Sequence, residues 1–399
     1  MRARTLSARR IHASAVVVDT HADTPQRFLD EGFDLADPLG DGNLNLASVR
    51  RGSLDAEFFS IWVEPSLYAG QYARRTLELI DSVRRQVDRH PDRMQFVTTA
   101  DGIAAAHRAR RFAALLGIEG GHSIEHSLAL LRQYYALGVR YMTLTWSNSN
   151  GWADSCSDLD DPKVPHTRRG LTRFGEEVVR EMNRLGMMVD VSHVADRTFW
   201  RTVRIARAPV IASHSGSRAL CDHPRNMTDA MLRAVARSGG PRSLGGVVQV
   251  NFFSGFVDQD YADALRSLRP RMERAVERAR AAAVARGRAF TPTEMQRVRR
   301  TFLDRIPRPP ASKIVDQIDH IAEVAGVEHV GLGSDFDGVS GQLPAGIDSA
   351  ADLPKVTEAL LDRGFSASDC RKILGGSLLR VLREVERVAS VPPGVGRRG

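Results

Sequence analysis

Cysteine and lysine are both scarce in this sequence of 399 residues, and each shortage narrows the possible classes of protein. The three cysteines are an odd number without a CxxC pair, which argues against a disulfide framework. Only four of the 56 basic residues are lysine, so arginine carries nearly all of the positive charge. No apolar run reaches the ~18 residues that a membrane-spanning helix needs. We therefore expect a cytoplasmic protein without a membrane partner.

The formal net charge of +8 is concentrated in one segment of the chain. Residues 261–310 contain 13 arginines and five acidic residues, whereas the rest of the chain is neutral overall. We interpret residues 258–310 as an inserted helical hairpin that forms a solvated surface or a homodimer contact. Nucleic-acid binding would depend on this segment alone and is not expected.

Short runs rich in valine, isoleucine and leucine alternate with helical patterns along the chain. This alternation predicts an α/β fold, a (β/α)8 TIM-like barrel with an inserted Arg-rich helical segment. The candidate strands span residues 15–19, 57–63, 95–98, 113–118, 141–145, 187–191, 210–212, 246–251 and 330–333. The candidate helices span residues 68–90, 127–137, 172–185, 229–237, 313–325, 352–363 and 367–387. Because a barrel has eight positions, at least one of the nine strands is additional or wrong.

The expected domain organisation follows from this alternation. Residues 1–399 form a single barrel domain, and the helical insertion at 258–310 lies within it. The basic residues before the first strand are interpreted as a short arm. The last residues, 390–399, are expected to be a flexible tail.

Polar residues gather where the candidate strands end. The segments are THAD at 20–23, EGGH at 119–122, SH at 192–193, SHS at 213–215 and SDFDG at 334–338. In a parallel barrel these strand ends converge on the face that carries the active site. Imidazoles and carboxylates without a thiolate suit Zn²⁺, and Mn²⁺, Fe²⁺ or Co²⁺ are also compatible. These segments contain more imidazoles and carboxylates than the four ligands of one tetrahedral zinc. They fit better a pair of metal ions that share one carboxylate.

At this point the sequence resembles the renal (membrane) dipeptidase family of zinc peptidases, as a bacterial-type soluble member. The matching segments, in family order from residue 16 to residue 339, are VVDTHADTP, GIEGGHSIE, GVRYMTLTW, NSNGWADS, MMVDVSHVADRTFW, APVIASHS, HPRNM and GLGSDFDGV. The resemblance implies two zinc ions per chain and hydrolysis of dipeptides by an activated hydroxide, and it leaves open whether L-D dipeptides are accepted. On this chain it implies that His21 and Asp23 bind one zinc, that His193 and His214 bind the other, and that Glu119 bridges both.

The resemblance also implies residues that act on the substrate. Asp335 matches the carboxylate that transfers protons and is counted with Glu119 as catalytic, and Arg225 matches the arginine that binds the substrate carboxylate. Trp146 departs from the family, because many members have a histidine there beside the substrate. An indole can donate only its N–H, so we expect slower turnover and a pocket that prefers a small residue on one side.

Two other interpretations stay open at this stage. The first is another metal-dependent barrel hydrolase that acts on an amide, a lactam or an ester. Such enzymes commonly use a lysine as the metal bridge, and none of the four lysines follows a candidate strand. The second is a non-catalytic binding protein on the same fold, motivated by Trp146 and the basic insertion. The intact set of candidate ligands argues against it.

Overall fold

Nine parallel strands form the central sheet of this computed structural model, which describes residues 2–167 and 169–390. The strands are β1 (Val18–Ala22), β2 (Ala56–Trp62), β3 (Met94–Phe96), β4 (Phe112–Glu119), β5 (Val139–Thr143), β6 (Met188–Asp190), β7 (Ile211–Ser215), β8 (Val247–Val250) and β9 (Val330–Leu332). Apart from Ser390, the predicted tail lies outside the described residues.

Eight of these strands close into a barrel, and β3 is the additional one. β4 pairs with β2 over the whole length of β2, from the Ala56–Ala113 pair to the Trp62–Glu119 pair, and this pairing closes the ring. On its other side, β4 pairs first with β3 and then, from Leu116 onward, with β5. The predicted (β/α)8 barrel is therefore confirmed.

Sixteen helices are present in the described part of the chain, and most of them surround the barrel. They are α1 (Arg2–Ser14), α2 (Pro25–Asp30), α3 (Leu46–Arg51), α4 (Tyr72–Arg89), α5 (Ala100–Arg108), α6 (Leu128–Ala136), α7 (Arg173–Leu185), α8 (Asp196–Ile205), α9 (Asp229–Ala236), α10 (Ser254–Val257), α11 (Gln259–Ala285), α12 (Pro292–Leu303), α13 (Ser312–Ala325), α14 (Leu353–Arg363), α15 (Ala367–Arg371) and α16 (Ser377–Val388). Among the described residues, none of these helices combines the length and the apolar character needed to cross a bilayer.

The strands are apolar at consecutive positions because both faces of the sheet are buried. Alternate side chains point to opposite faces of a strand. Phe58 and Leu115 therefore join the cluster inside the barrel, and their neighbours Phe59 and Leu116 join the layer under the helices. This packing fixes which side chains reach the open end of the barrel.

Residues Arg2–Ser14, before β1, form a helix, so the interpretation as a short arm was wrong. Long-range hydrogen bonds hold α1 in place. The buried His12 ring contacts Thr357 Oγ1 and the carbonyl oxygen of Gly52, both at 2.7 Å. These partners lie far away in the sequence, which is why local patterning did not reveal the helix.

The C-terminal helix is interrupted rather than continuous over residues 367–387. A wide turn at Lys372–Gly376 separates α15 from α16. A Cβ atom at Gly375 would lie 2.3 Å from the carbonyl oxygen of Val16, so only glycine permits this close approach to the start of the barrel. The interruption thus allows the chain just before α16 to pack closely against the residues that lead into β1.

The Arg-rich segment forms a helical hairpin, defined here as α11, α12 and their connection (259–303). Its outer face is exposed, as a solvated surface would be. Its inner face is not, because Val276, Ala283 and Met295 pack against Trp62 at the end of β2. The inner face therefore covers part of the barrel mouth and is not a solvated surface, whereas a dimer contact of the hairpin stays a prediction.

Candidate metal centre and substrate pocket

The carboxyl ends of the strands bring the candidate ligands together at one end of the barrel. His21 lies within β1, Glu119 ends β4 and His214 lies within β7. His193 and Asp335 follow β6 and β9 by three residues, and both have a left-handed backbone, with φ of 66° and 62°. Non-glycine residues rarely adopt this conformation, and it is found at functional sites where surrounding contacts hold it.

Glu119 is at the centre of the cluster. Its Oε1 atom lies 2.8 Å from His193 Nε2 and 3.3 Å from His214 Nε2. Its Oε2 atom lies 3.5 Å from His21 Nε2, which in turn lies 4.0 Å from Asp23 Oδ2. The two carboxylate oxygens thus face different imidazoles, as a bridge between two metals requires.

Two overlapping groups of side chains have the spacing of a cation site. His21, Glu119 and His214 form one group, and His21, Asp23 and Asp335 form the other. In each group the potential ligand atoms lie within 4.8 Å of one another. His21 Nε2 and Asp23 Oδ1 are buried and have no hydrogen-bond partner among the described residues, so both atoms are free to bind a cation.

The electrostatics of the cluster also favour a cation. Burial lowers the pKa of His21, but Glu119, Asp23 and Asp335 outweigh it and raise this pKa to about 10. Burial and the neighbouring Glu119 raise the pKa of both Asp23 and Asp335. In the absence of a metal, protons on these side chains compensate the negative charge of the carboxylates. A bound cation would take over that role.

A tyrosine fixes the tautomer of His21. The Tyr141 hydroxyl donates to the carbonyl oxygen of Thr20 at 3.0 Å, so at its 2.9 Å contact with His21 it accepts from Nδ1–H. In the neutral imidazole, the form that binds a metal, the lone pair of His21 is thereby left on Nε2, which lies 3.5 Å from Glu119 Oε2. Hydrogen bonds of this kind orient metal-binding histidines.

A serine does the same for His214. The Ser213 hydroxyl donates to Asp190 Oδ2 at 2.6 Å and therefore accepts from His214 Nδ1–H at 2.7 Å. Asp190 also accepts hydrogen bonds from the backbone N–H groups of Ser192 and Ser213, at 3.0 and 2.8 Å. Asp190 thus acts on the ligand histidine through Ser213 rather than by direct contact.

Asp335 lies beside the cluster with one oxygen engaged. Asn251 donates to its Oδ2 atom at 2.8 Å, which leaves Oδ1 directed into the site. A Cβ atom at Gly338 would lie 2.2 Å from both Asp335 Oδ1 and Asp23 Oδ2. Glycine at 338 therefore keeps the space between these two carboxylates open.

A pocket of about 330 Å³ opens above the cluster, near the lower end of the range for small-molecule sites. Arg225 forms part of its wall. This buried guanidinium donates to the carbonyl oxygen of His214 at 2.9 Å, its Nε has no partner, and it lies 5.2 Å from the ring of Phe256. No described carboxylate lies within 4 Å of it, although a buried charge is costly without an opposite charge.

Trp146 occupies the other side of the pocket. Its ring centroid lies 6.4 Å from that of His193 and 4.9 Å from that of Trp62. The indole also packs against the apolar cluster that Trp62 forms with Val276 and Met295 of the helical hairpin. Trp146, which departs from the family pattern, therefore lies beside the cluster that joins the hairpin to the barrel mouth.

Other polar residues near the motifs lie outside the cluster. His122 contacts the carbonyl oxygen of Val63 at 2.8 Å, and Asp337 accepts from Thr24 Oγ1 and the backbone N–H of Asn43, both at 2.6 Å. Sequence reasoning missed the roles of Tyr141 and Asn251. Asn251 ends a candidate strand and could have been found by the rule that identified the ligands, whereas Tyr141 carried no comparable signal.

A closed (β/α)8 barrel carries its active site at the carboxyl ends of its strands, and the buried imidazoles and carboxylates there are ligand types of a metal centre. A family model described as "Membrane dipeptidase (Peptidase family M19)" matches residues 6–393, and the chain belongs to this family. Dipeptidase 3 of Mus musculus is 34% identical over 350 residues, which are 87% of this chain and 59% of that protein. Dipeptidase 3 of Rattus norvegicus is 34% identical over 347 residues, with the same coverage. The chain thus spans less than two thirds of the length of these relatives.

Solved structures show the same fold. The probable dipeptidase PvdM from Pseudomonas aeruginosa superposes with a TM-score of 0.81 at 24% identity, covering 97% of this chain and all of that chain. A metallopeptidase from Rhodobacter sphaeroides, liganded with a phosphinate mimic of the dipeptide L-Ala-D-Ala, gives 0.73 at 24% identity, covering 93% and 99% of the two chains. These similarities agree with the closed barrel seen here.

Proposed function

We propose that this chain is a metal-dependent dipeptidase that recognises the free carboxylate of its substrate through Arg225. The observation that carries this proposal is a buried guanidinium without a carboxylate partner, beside a cluster of metal-binding side chains. A pocket of about 330 Å³ suits a short substrate better than a long chain. Membership of the membrane dipeptidase family supports the same activity.

The cluster fits two divalent ions per chain, for which zinc is the metal we propose. In this arrangement His21 and Asp23 would hold one ion and His193 and His214 the other, with Glu119 shared between them. Two such ions supply Lewis acidity at the scissile carbonyl and lower the pKa of a water molecule toward neutrality. Tyr141 and Ser213 keep the Nε2 lone pairs of two histidines directed at this position.

Asp335 is the residue that we propose to move protons. Asn251 fixes its Oδ2 atom, so Oδ1 is available to take a proton from the attacking water and to return it to the leaving amine. Arg225 holds the terminal carboxylate meanwhile, with charge-assisted hydrogen bonds.

The proposal is tested with purified protein that has been stripped of metal and reloaded with zinc. We expect hydrolysis of L-Ala-L-Ala, and a panel with L-Ala-D-Ala and a lactam defines the substrate class. Tripeptides should be cleaved far more slowly, because their terminal carboxylate lies one residue further from the scissile bond. Dipeptide amides should also be cleaved far more slowly, because they have no terminal carboxylate. Glu119→Gln serves as the matched inactive variant. Equal cleavage of dipeptides and their amides would contradict the assignment of Arg225, and a zinc-loaded protein that cleaves no dipeptide would refute the activity.

Two further points stay proposals. A cytoplasmic location is supported by Cys156, Cys221 and Cys370, which are buried free thiols of the kind that a reducing compartment preserves. A homodimer stays a prediction that sedimentation analysis of the purified protein would test.

A further inference from the structure

The wall of the pocket next to Arg225 is apolar. The Arg225 guanidinium carbon lies 5.2 Å from the centre of the Phe256 ring, and this ring lies 4.9 Å from that of Phe253. Phe253 in turn packs against an apolar cluster that includes Met272 and Leu303 of the helical hairpin. All of these side chains line the pocket above the metal cluster. A continuous apolar surface therefore leads from Arg225 to the hairpin.

Leu265, on α11, extends this wall. It is half-buried, packs against the same apolar cluster and lines the pocket. Contact with an apolar group would remove the rest of its surface from water, which is favourable. A polar group in the same place would lose its hydration without gaining a hydrogen bond from the leucine. The wall therefore favours an apolar occupant.

The charged side chains that the hairpin adds to the pocket are compensated. Arg269 and Glu273 form an ion pair with each other at 2.7 Å, and both side chains are more than half exposed. Burial lowers the pKa of Arg299, but the neighbouring carboxylates of Glu64 and Glu273 oppose this effect and stabilise its charge. None of these groups therefore offers an unpaired charge to a substrate side chain.

His223 does not add a charge to the wall either. Its ring lies 4.7 Å from that of Phe256, and its Nδ1 atom accepts from the backbone N–H of Arg225 at 3.1 Å. Burial and the Arg225 guanidinium lower the pKa of His223 to about 3, so the imidazole is neutral at neutral pH. The surface around Phe256 is therefore uncharged apart from Arg225 itself.

The covalent structure of a dipeptide brings one of its side chains to this wall. The terminal carboxylate and the carboxy-terminal side chain are bonded to the same Cα atom, so a carboxylate on Arg225 keeps that side chain close to Phe256. We propose that Leu265, together with Phe253 and Phe256, forms a subsite that selects dipeptides whose carboxy-terminal residue has a bulky apolar side chain. This inference rests on the proposed dipeptidase function and specifies its substrate class.

The test compares two substrates of similar shape, L-Ala-L-Leu and L-Ala-L-Asn, by their kcat/KM values with the zinc-loaded enzyme. Burial of a leucine side chain corresponds to roughly 10- to 150-fold in an equilibrium constant, so we expect the Ala-Leu to Ala-Asn ratio to be at least ~10. Leu265→Asn should lower this ratio at least ~3-fold, whereas Leu265→Met, which keeps an apolar side chain of similar volume, should retain it. Because both substrates are measured with the same preparation, incomplete folding or zinc loading cancels in the ratio.

Leu268→Asn is the matched control. Leu268 lies on the same helix and packs against the same apolar cluster, but it is not among the described residues that line the pocket. Its substitution should weaken the packing of the hairpin and keep the wild-type ratio. A second control reverses the substrates. The ratio of Leu-Ala to Asn-Ala should not depend on Leu265, because the amino-terminal residue does not carry the carboxylate that Arg225 binds.

The outcomes separate the subsite from the activity. An Ala-Leu to Ala-Asn ratio near 1 in the wild type, a ratio that Leu265→Asn leaves unchanged, or an equal change in Leu268→Asn would each overturn the inference, while cleavage of these dipeptides would still support the proposed function. An equal effect of Leu265→Asn on the Leu-Ala to Asn-Ala ratio would also overturn it. Failure to cleave any dipeptide would instead refute the proposed function.

Discussion

Replacing Tyr141 by phenylalanine tests whether the tautomer of His21 is set by a hydrogen bond. The change removes one hydroxyl and leaves a ring that packs in the same place inside the barrel, 5.5 Å from the ring of Phe58. His21 Nδ1–H then loses its acceptor at a fully buried position. We expect weaker metal binding with an unchanged fold.

The size of the effect follows from the lost contact. A buried donor without a partner costs about 1–3 kcal/mol, which corresponds to roughly 5- to 150-fold in an equilibrium constant. Removal of the partner of a metal-binding histidine typically weakens metal binding 10- to 100-fold. Both estimates of the loss in zinc affinity therefore have the same order of magnitude. The assay is a competition titration of zinc against a chelator of known affinity.

Tyr134→Phe is the matched control for this experiment. Tyr134 is equally buried, and its hydroxyl donates to the carbonyl oxygen of Ser123 at 2.9 Å without touching a candidate ligand. It should lose stability but bind zinc as the wild type does. Wild-type zinc affinity in Tyr141→Phe, or the same loss in both variants, would refute the reasoning.

Substitutions at three further positions test the residues around the substrate. Asp335→Asn should retain its metal and lose at least ~10²-fold in kcat, because the group that moves the proton is gone; wild-type turnover in a metal-loaded variant would contradict this. Arg225→Gln should raise KM about 10- to 150-fold for dipeptides and only slightly for their C-terminal amides, and an equal rise for both would exclude carboxylate recognition. Trp146→His should raise kcat with unchanged metal content, because it restores a polar donor beside the substrate, whereas Trp146→Phe, which supplies no donor, should not; a lower kcat/KM across the dipeptide panel in Trp146→His would refute this account.

The barrel and the positions of the candidate ligands could be predicted from local patterns in the sequence. Apolar runs that alternate with helical patterns indicate parallel strands, and polar residues at strand ends must then converge at one mouth. Glu119, for example, directly follows an apolar run, so its position at the rim of the barrel was predictable. The sequence resemblance then supplied a role for each of these side chains.

The contacts that orient the site could not be predicted, because they join residues far apart in the chain. Tyr141 meets His21 across 120 positions, and nothing around either residue indicates the pairing. The helical hairpin posed a different problem. Its many arginines suggested a solvated surface, but a few apolar residues such as Val276 and Met295 suffice to dock its inner face over the mouth.

The central claim is that the cluster around Glu119 holds two catalytic metal ions in each chain. The most direct test is to titrate the metal-free protein with Zn²⁺ and to measure bound metal and dipeptide hydrolysis in the same samples. We expect binding to saturate at about two ions per chain and full activity only when both positions are filled. Saturation at one ion per chain with full activity would contradict the claim.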